Sequence, residues 1–265
     1  MLKKVRKGKR PSPRKVLIYG TAGIGKSTWW SMAPNVIGLD CEDGLSDVDC
    51  ESIACECYAD VLESLDDLYR SQHRYENVAI DTADWLEAAI FQQVCDEAGV
   101  DAISDIGFGA GYTKSVSLWQ HVLKQLDRLH KDRRMGVFLI AHSQVQRFND
   151  PSSEPYDRYS PRLDKRSMPI LMEWSTEILF ATYKTFVTQE EQGFGKSRSR
   201  AVGDERIIYT TETASRLAKN RLTLPVEMPL DYREFAKYLP AVKPNASAAV
   251  SEPTEQETPE EVEVF

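Results

Sequence analysis

The chain has 265 residues, enough for one sizeable α/β domain with short appendages or for two small domains. Hydrophobic residues make up 42% and charged residues 28%, and the mean hydropathy is -0.43, the composition of a water-soluble globular chain. No apolar run reaches bilayer length and the N-terminus lacks the apolar segment of a secretory signal, which excludes a membrane-spanning or exported reading and predicts a cytoplasmic protein.

The net charge of -8 argues against an evenly basic nucleic-acid binder, but it is unevenly spread. The first fifteen residues hold Lys3, Lys4, Arg6, Lys7, Lys9, Arg10, Arg14 and Lys15 with no acid, whereas the last fifteen, SEPTEQETPEEVEVF, hold only acids. Opposite-sign ends on a folded middle read as separate modules: a basic arm over 1–13, one domain over 14–240, and an acidic tail over 241–265. The five cysteines show no C-x-x-C pair. CEC at 55–57 is expected to put two thiols on one side of a strand, as reduced, inert groups.

In chain order, KVLIYG reads as a buried strand, followed by a helix from Lys26 to Met32 that stops before Pro34. NVIGLD is a second strand, residues 60–69 a helix with Val61, Leu62, Leu65 and Leu68 on one face, and NVAID a third strand. ADWLEAAIFQQVCDEA is helical, residues 99–115 form a glycine-rich mobile loop, VSLWQHVLKQLDRLHKD is helical, and MGVFLIAHS is a fourth strand. Residues 146–167 read as a long polar loop before a short helix, PILMEWSTE. ILFATYKTFV and RIIYTTET then form a hairpin through a basic connector. Strands alternating with helices predict an α/β domain with a mainly parallel central sheet covered on both faces.

The first strand runs into Gly20-Thr21-Ala22-Gly23-Ile24-Gly25-Lys26-Ser27, which fits G-x-x-x-x-G-K-[ST], with Thr28 next. Glycines let successive amides turn inward as an anion nest, and the following helix adds its positive end. Lys26 can reach the β and γ phosphates of ATP, and the Ser27 hydroxyl can hold Mg²⁺. A carboxylate near the metal is expected at the end of a neighbouring buried strand, and Asp81 fills that place; its other reading is an N-cap, which Thr82 or Asp84 can equally supply. Water activation points to the acidic turn after the second strand, where Glu42 is chosen over Asp40 and Asp43; a solvated acidic turn is the alternative. His142 and Gln144, ending the fourth strand, are placed to contact the γ-phosphate, with a hydrogen-bonded strand end as the alternative for His142.

These elements in this order resemble the three-layer RecA-like P-loop ATPase core. More closely, they resemble small phage RecA-core proteins of the AAA type that act as single-strand annealing recombinases, over roughly residues 14–240. LDCEDGLSD is similar to the segment whose glutamate activates water in that family, which places the role on Glu42. GFGAGY and RFNDPSSEPYDRYSPRLDKRS resemble the two DNA-facing loops. Lys219-Asn220-Arg221 resembles the K-N-R motif of bacterial RadA and the finger of hexameric helicases, in which a cation reaches the neighbour's γ-phosphate; Leu222 stands where RadA has phenylalanine. Ordinary surface charge is the alternative for Lys219 and Arg221.

The polar segment interleaves Arg147, Phe148, Tyr156, Arg158, Tyr159, Arg162, Lys165 and Arg166, a mixture suited to phosphates and bases, diluted by Asp150, Glu154, Asp157 and Asp164. Phe108, Tyr112, Lys114, Lys196, Arg198 and Arg200 extend the set. The resemblance implies an ATP- and Mg²⁺-dependent protein of the bacterial host cytoplasm that binds single-stranded DNA, assembles with itself in rings or filaments and promotes annealing in phage recombination. EEVEVF at the end is like the acidic tips of single-strand-binding proteins and suggests a phage protein of that type as a further partner. A helicase-related motor or loader is the main alternative, and a nucleotide kinase the third.

Overall fold

The computed structural model describes residues 7–8, 10–149, 154–184, 186–192, 196–202 and 204–242, with backbone alone over 186–192 and 196–202. Most of the basic arm, Asp150, the side chains of Lys196, Arg198 and Arg200, and the acidic tail to Phe265 lie outside the described residues.

The chain runs β1 (Lys15–Gly20), α1 (Lys26–Ser31), β2 (Val36–Asp40), β3 (Glu51–Ala54), α2 (Tyr58–Arg70), β4 (Asn77–Asp81), α3 (Ala83–Ala98), α4 (Ala110–Asp132), β5 (Gly136–Phe148), β6 (Tyr156–Pro161) and α5 (Met168–Trp174). It continues with β7 (Glu177–Tyr183), β8 (Phe186–Gln192), β9 (Lys196–Val202), β10 (Arg206–Tyr209), β11 (Glu227–Pro229) and α6 (Tyr232–Ala236). The main sheet is ordered β11-β10-β7-β1-β5-β4-β2-β3. From β7 to β3 every pairing is parallel, while β10 and β11 close the other edge antiparallel. This is the three-layer, mainly parallel arrangement the sequence predicts, with the β7/β10 hairpin near its C-terminal end.

The apolar runs are continuous because both faces of the sheet are covered. In β1, Leu17 and Tyr19 face the core under α2, α3, α4 and α5, and Val16 and Ile18 face the core under α1 and α6. The same alternation divides Val137, Leu139 and Ala141 from Phe138 and Ile140 in β5.

Four expectations change. Residues 103–109 form two short 3₁₀ turns and α4 already begins at Ala110, so the glycine-rich stretch is largely ordered helix rather than a free loop. The polar loop is instead a hairpin: β5 runs on past the sheet edge to Phe148 and pairs antiparallel with β6, from Ser143↔Pro161 to Phe148↔Tyr156. The connector between β7 and β10 carries its own strand pair, β8 with β9. CEC is not a strand: β3 ends at Ala54, Cys55 is buried, and exposed Cys57 is the N-cap of α2. The described residues contain no cluster of three or more histidine, cysteine or acidic side chains suited to a metal, and no helix long and apolar enough to cross a membrane.

Candidate functional site

The carboxyl ends of β1, β2, β4 and β5 meet at one edge of the sheet, with Gly20 level with His142 and Asp40 level with Asp81. There they border an open cleft of about 370 Å³. Ala22, Gly23, Gly25, Lys26, Ser27, Thr28, Glu42, Asp81 and His142 line it, so most of the predicted site residues converge. Ile24 turns into the core, fully buried, and anchors the loop beneath them. The carboxylate strand β4 is not the neighbour of β1, because β5 lies between them.

The loop conformation requires its glycines at two points. Gly25 has φ 103°, which an L side chain rarely adopts, and a Cβ on Gly20 would stand 2.3 Å from the Ala181 carbonyl oxygen. The helix that follows is only six residues long, so the loop amides rather than a long helix dipole must supply most of the anion-binding field. Lys26 is 5% exposed, and its Nζ donates to the carbonyls of Gly20 at 3.2 Å and Thr21 at 2.9 Å. Burial lowers its pKa, opposed by the nearby charges of Asp81, Asp84 and Glu42.

Asp81 is buried, and burial raises its pKa against hydrogen bonds donated by Ser27 and Trp30. The Trp30 Nε1 bond, 2.8 Å to Oδ2, fixes the carboxylate from one turn further along the same face of α1 as Ser27. The N-cap of α3 is Thr82, whose Oγ1 accepts from Trp85 N–H at 3.5 Å, so Asp81 is free of that duty. A hydroxyl beside a buried carboxylate is a hard-oxygen pair suited to Mg²⁺, and the nest with a buried amine suits the phosphates of ATP.

Asp40 and Glu42 divide the acidic turn between them. Asp40 accepts backbone N–H groups of Glu42, Gly44 and Leu45 at 3.2 to 3.3 Å and so builds the turn. Glu42 remains at the cleft with Oε1 3.9 Å from His142 Nε2. The other face of His142 is held by Asp84: His142 N–H donates to Oδ1 at 2.9 Å, and Nδ1 lies 3.0 Å from Oδ2. Arg162 Nε also donates to Oδ2, at 3.1 Å. Burial would raise the Asp84 carboxyl, but the His142 and Arg162 hydrogen bonds outweigh it and hold it well below the usual carboxylate range.

Three predicted residues fall elsewhere. Gln144 does not line the cleft; its amide donates to the carbonyls of Pro161 at 2.9 Å and Leu163 at 3.3 Å, which ties the hairpin base together. Lys219 pairs with Ile178 at the amino end of the sheet, and its Nζ donates to the carbonyls of Met172, Glu173 and Ser175 at the C-terminus of α5. Arg221 is exposed at the same end, among the charges of Lys15, Glu177 and Lys219.

The hairpin exposes Arg147, Phe148, Tyr159 and Arg162, but Arg158 is buried, paired with Glu212 and set 5.1 Å from the Phe148 ring centroid. Arg166 lies 4.4 Å over the Tyr112 ring, so the two segments expected to face DNA touch one another, and Phe108 projects fully into solvent beside them. Sequence reading missed Trp30 and Arg206, and gave Asp84 only a capping role. Arg206, on β10, reaches the phosphate loop from the opposite side, with one guanidinium nitrogen 3.4 Å from the Ile24 carbonyl. No local pattern marks these side chains, because their partners are far away in the chain.

The fold and the cleft define a P-loop nucleotide-binding protein. A family model described as an AAA domain matches residues 12–222, and the chain belongs to that family. Among solved structures, that of the RadB recombinase is similar at 12% identity, covering 75% of this chain and 80% of that one, with a TM-score of 0.42. No curated protein matches the sequence.

Proposed function

We propose that the chain is an ATP-hydrolysing RecA-like protein that binds single-stranded DNA, assembles with copies of itself and promotes strand annealing in phage recombination. One observation carries the reading. The phosphate loop, the Ser27–Asp81 pair and Glu42 share a cleft whose His142 is tied, through Asp84, to the base of an exposed aromatic and basic hairpin.

In this reading the amides from Thr21 to Ser27, with Thr28 beside them, bind the phosphates, and Lys26 leaves its loop carbonyls for the β and γ oxygens. Ser27 and Asp81 would hold Mg²⁺, which would supply neutralisation of phosphate charge there. Glu42 accepts the proton of the attacking water, and His142 Nε2 orients the groups around it. Trp30 keeps Asp81 from turning away. The hairpin offers phosphates Arg147 and Arg162, and offers bases the rings of Phe148 and Tyr159. With Lys219 engaged on α5, exposed Arg221 is the better candidate for a cation that completes a neighbour's site.

The test is Lys26→Ala, assayed for binding of a fluorescent ATP analogue, ATP turnover and annealing of complementary oligonucleotides. Loss of nucleotide binding and turnover is expected. Turnover at the wild-type rate would refute the site, and wild-type protein that turns over ATP without annealing would refute the annealing role alone.

A further inference from the structure

Arg162 sits where the candidate nucleotide site meets the hairpin. Its backbone N–H donates to the His142 carbonyl at 2.8 Å and closes the hairpin base. Its guanidinium holds Asp84 Oδ2 through Nε and one terminal nitrogen, and that terminal nitrogen also lies 3.3 Å from His142 Nδ1. Arg162 and His142 therefore crowd one carboxylate oxygen, while the other imidazole nitrogen faces Glu42.

The two partners of this ion pair differ in exposure. The Asp84 side chain is 4% exposed and the Arg162 side chain 54%. A buried carboxylate cannot exchange its partners for water, but a half-solvated guanidinium can be shared with another anion. Carboxylate and phosphate both accept the planar fork through charge-assisted hydrogen bonds, so one arm of the guanidinium can turn to a phosphate while the other stays on Asp84, which also keeps its hydrogen bonds from His142. A small difference in affinity is then enough to shift the population.

We infer that Arg162 is a positioning residue whose guanidinium is shared between Asp84 and a phosphate of a single strand lying along the β5/β6 hairpin. Drawing it towards the strand leaves His142 as the main partner of Asp84 and tightens the orientation of Nε2 towards Glu42. Strand binding is thereby felt at the water-activating carboxylate without movement of the sheet. This inference rests on the single-strand-binding reading above and adds to it the residue that carries the coupling.

The experiment compares wild-type protein, Arg162→Ala and Arg162→Lys. An oligo-dT strand is titrated by fluorescence anisotropy, and kcat and KM for ATP are measured with and without it. In the wild type the strand is expected to raise kcat several-fold. In Arg162→Ala the ratio of kcat with strand to kcat without it is expected to fall to near unity while KM for ATP stays close to wild type. Arg162→Lys, which keeps the charge but loses the fork, is expected to give an intermediate ratio. A merely structural Arg162 would lower both rates and leave their ratio alone, and an unchanged ratio in either variant that still binds the strand overturns the inference. If Arg162→Ala does not fold, the ratio in Arg162→Lys decides. Wild-type protein that binds the strand with no change in kcat overturns this inference alone; wild-type protein that does not bind it removes the DNA reading as well.

Discussion

Asp81 and Asp84 stand three residues apart and are driven in opposite directions. Asp81 meets an indole N–H and a hydroxyl, too little to offset burial, so its pKa is raised. Asp84 is buried too, but an imidazole and a guanidinium more than compensate, so its pKa is lowered. By linkage, the raised Asp81 favours the fold below the ordinary value of 3.8 and loses that benefit as pH rises through its folded pKa; ionised, it weakens the protein at neutral pH. Asp81→Asn is therefore expected to raise the melting temperature of the ligand-free protein and to weaken Mg²⁺-dependent nucleotide binding. Scanning calorimetry and a magnesium titration check the two halves, and a lower melting temperature would contradict the account. The lowered Asp84 has the opposite sign: its stabilisation is present above 3.8 and is lost as pH falls below that value. Urea unfolding across this range should show wild-type stability falling more steeply with acid than that of Asp84→Asn, and parallel curves would contradict it.

At the scale of elements, α5 ends on a lysine. The Lys219 ammonium takes three carbonyls that the helix cannot satisfy itself, so Lys219→Ala should cost about 1–2 kcal/mol of stability, a modest figure because the group is partly in water. Arg221→Ala should cost far less, and equal losses in chemical unfolding would contradict the difference. The buried strands, α2 and most of α4 were legible because the strands face two cores and each helix carries its apolar residues on one face. β3 was not, since all four of its side chains are exposed and carry no alternation. The β5/β6 hairpin reads as loop because it is built largely of polar residues beyond the sheet edge, and even its buried Arg158 and Ser160 are polar and show no apolar alternation. The phosphate loop was legible as a contiguous motif, and Asp81 and Glu42 as strand ends. Trp30 on Asp81 and Arg162 on Asp84 join residues 51 and 78 apart, and no spacing rule connects them.

For the whole molecule, the decisive fact is that the cleft and Arg221 lie at opposite ends of the sheet. Lys219 bridges to Ile178, which is level with Leu17 near the start of β1, whereas the cleft opens beyond Gly20 at its end. About 10 Å of strand separates those levels, which sets Arg221 away from the cleft of its own chain and suits the proposed role at the nucleotide of a neighbouring copy. Mixing Lys26→Ala with Arg221→Ala, each inactive alone, should restore part of the ATP turnover, since mixed assemblies pair an intact loop with an intact cation. A mixture as inactive as its components would contradict completion of the site by a neighbour.

All of this depends on where the terminal phosphates bind. The most direct measurement is a crystal structure with Mg²⁺ and a non-hydrolysable ATP analogue. The account predicts the β and γ phosphates within hydrogen-bond reach of the amides between Gly20 and Ser27 and of Lys26 Nζ, with the metal beside Ser27 and Asp81. Analogue bound elsewhere at saturating concentration, with Lys26 still on the Gly20 and Thr21 carbonyls, would contradict it.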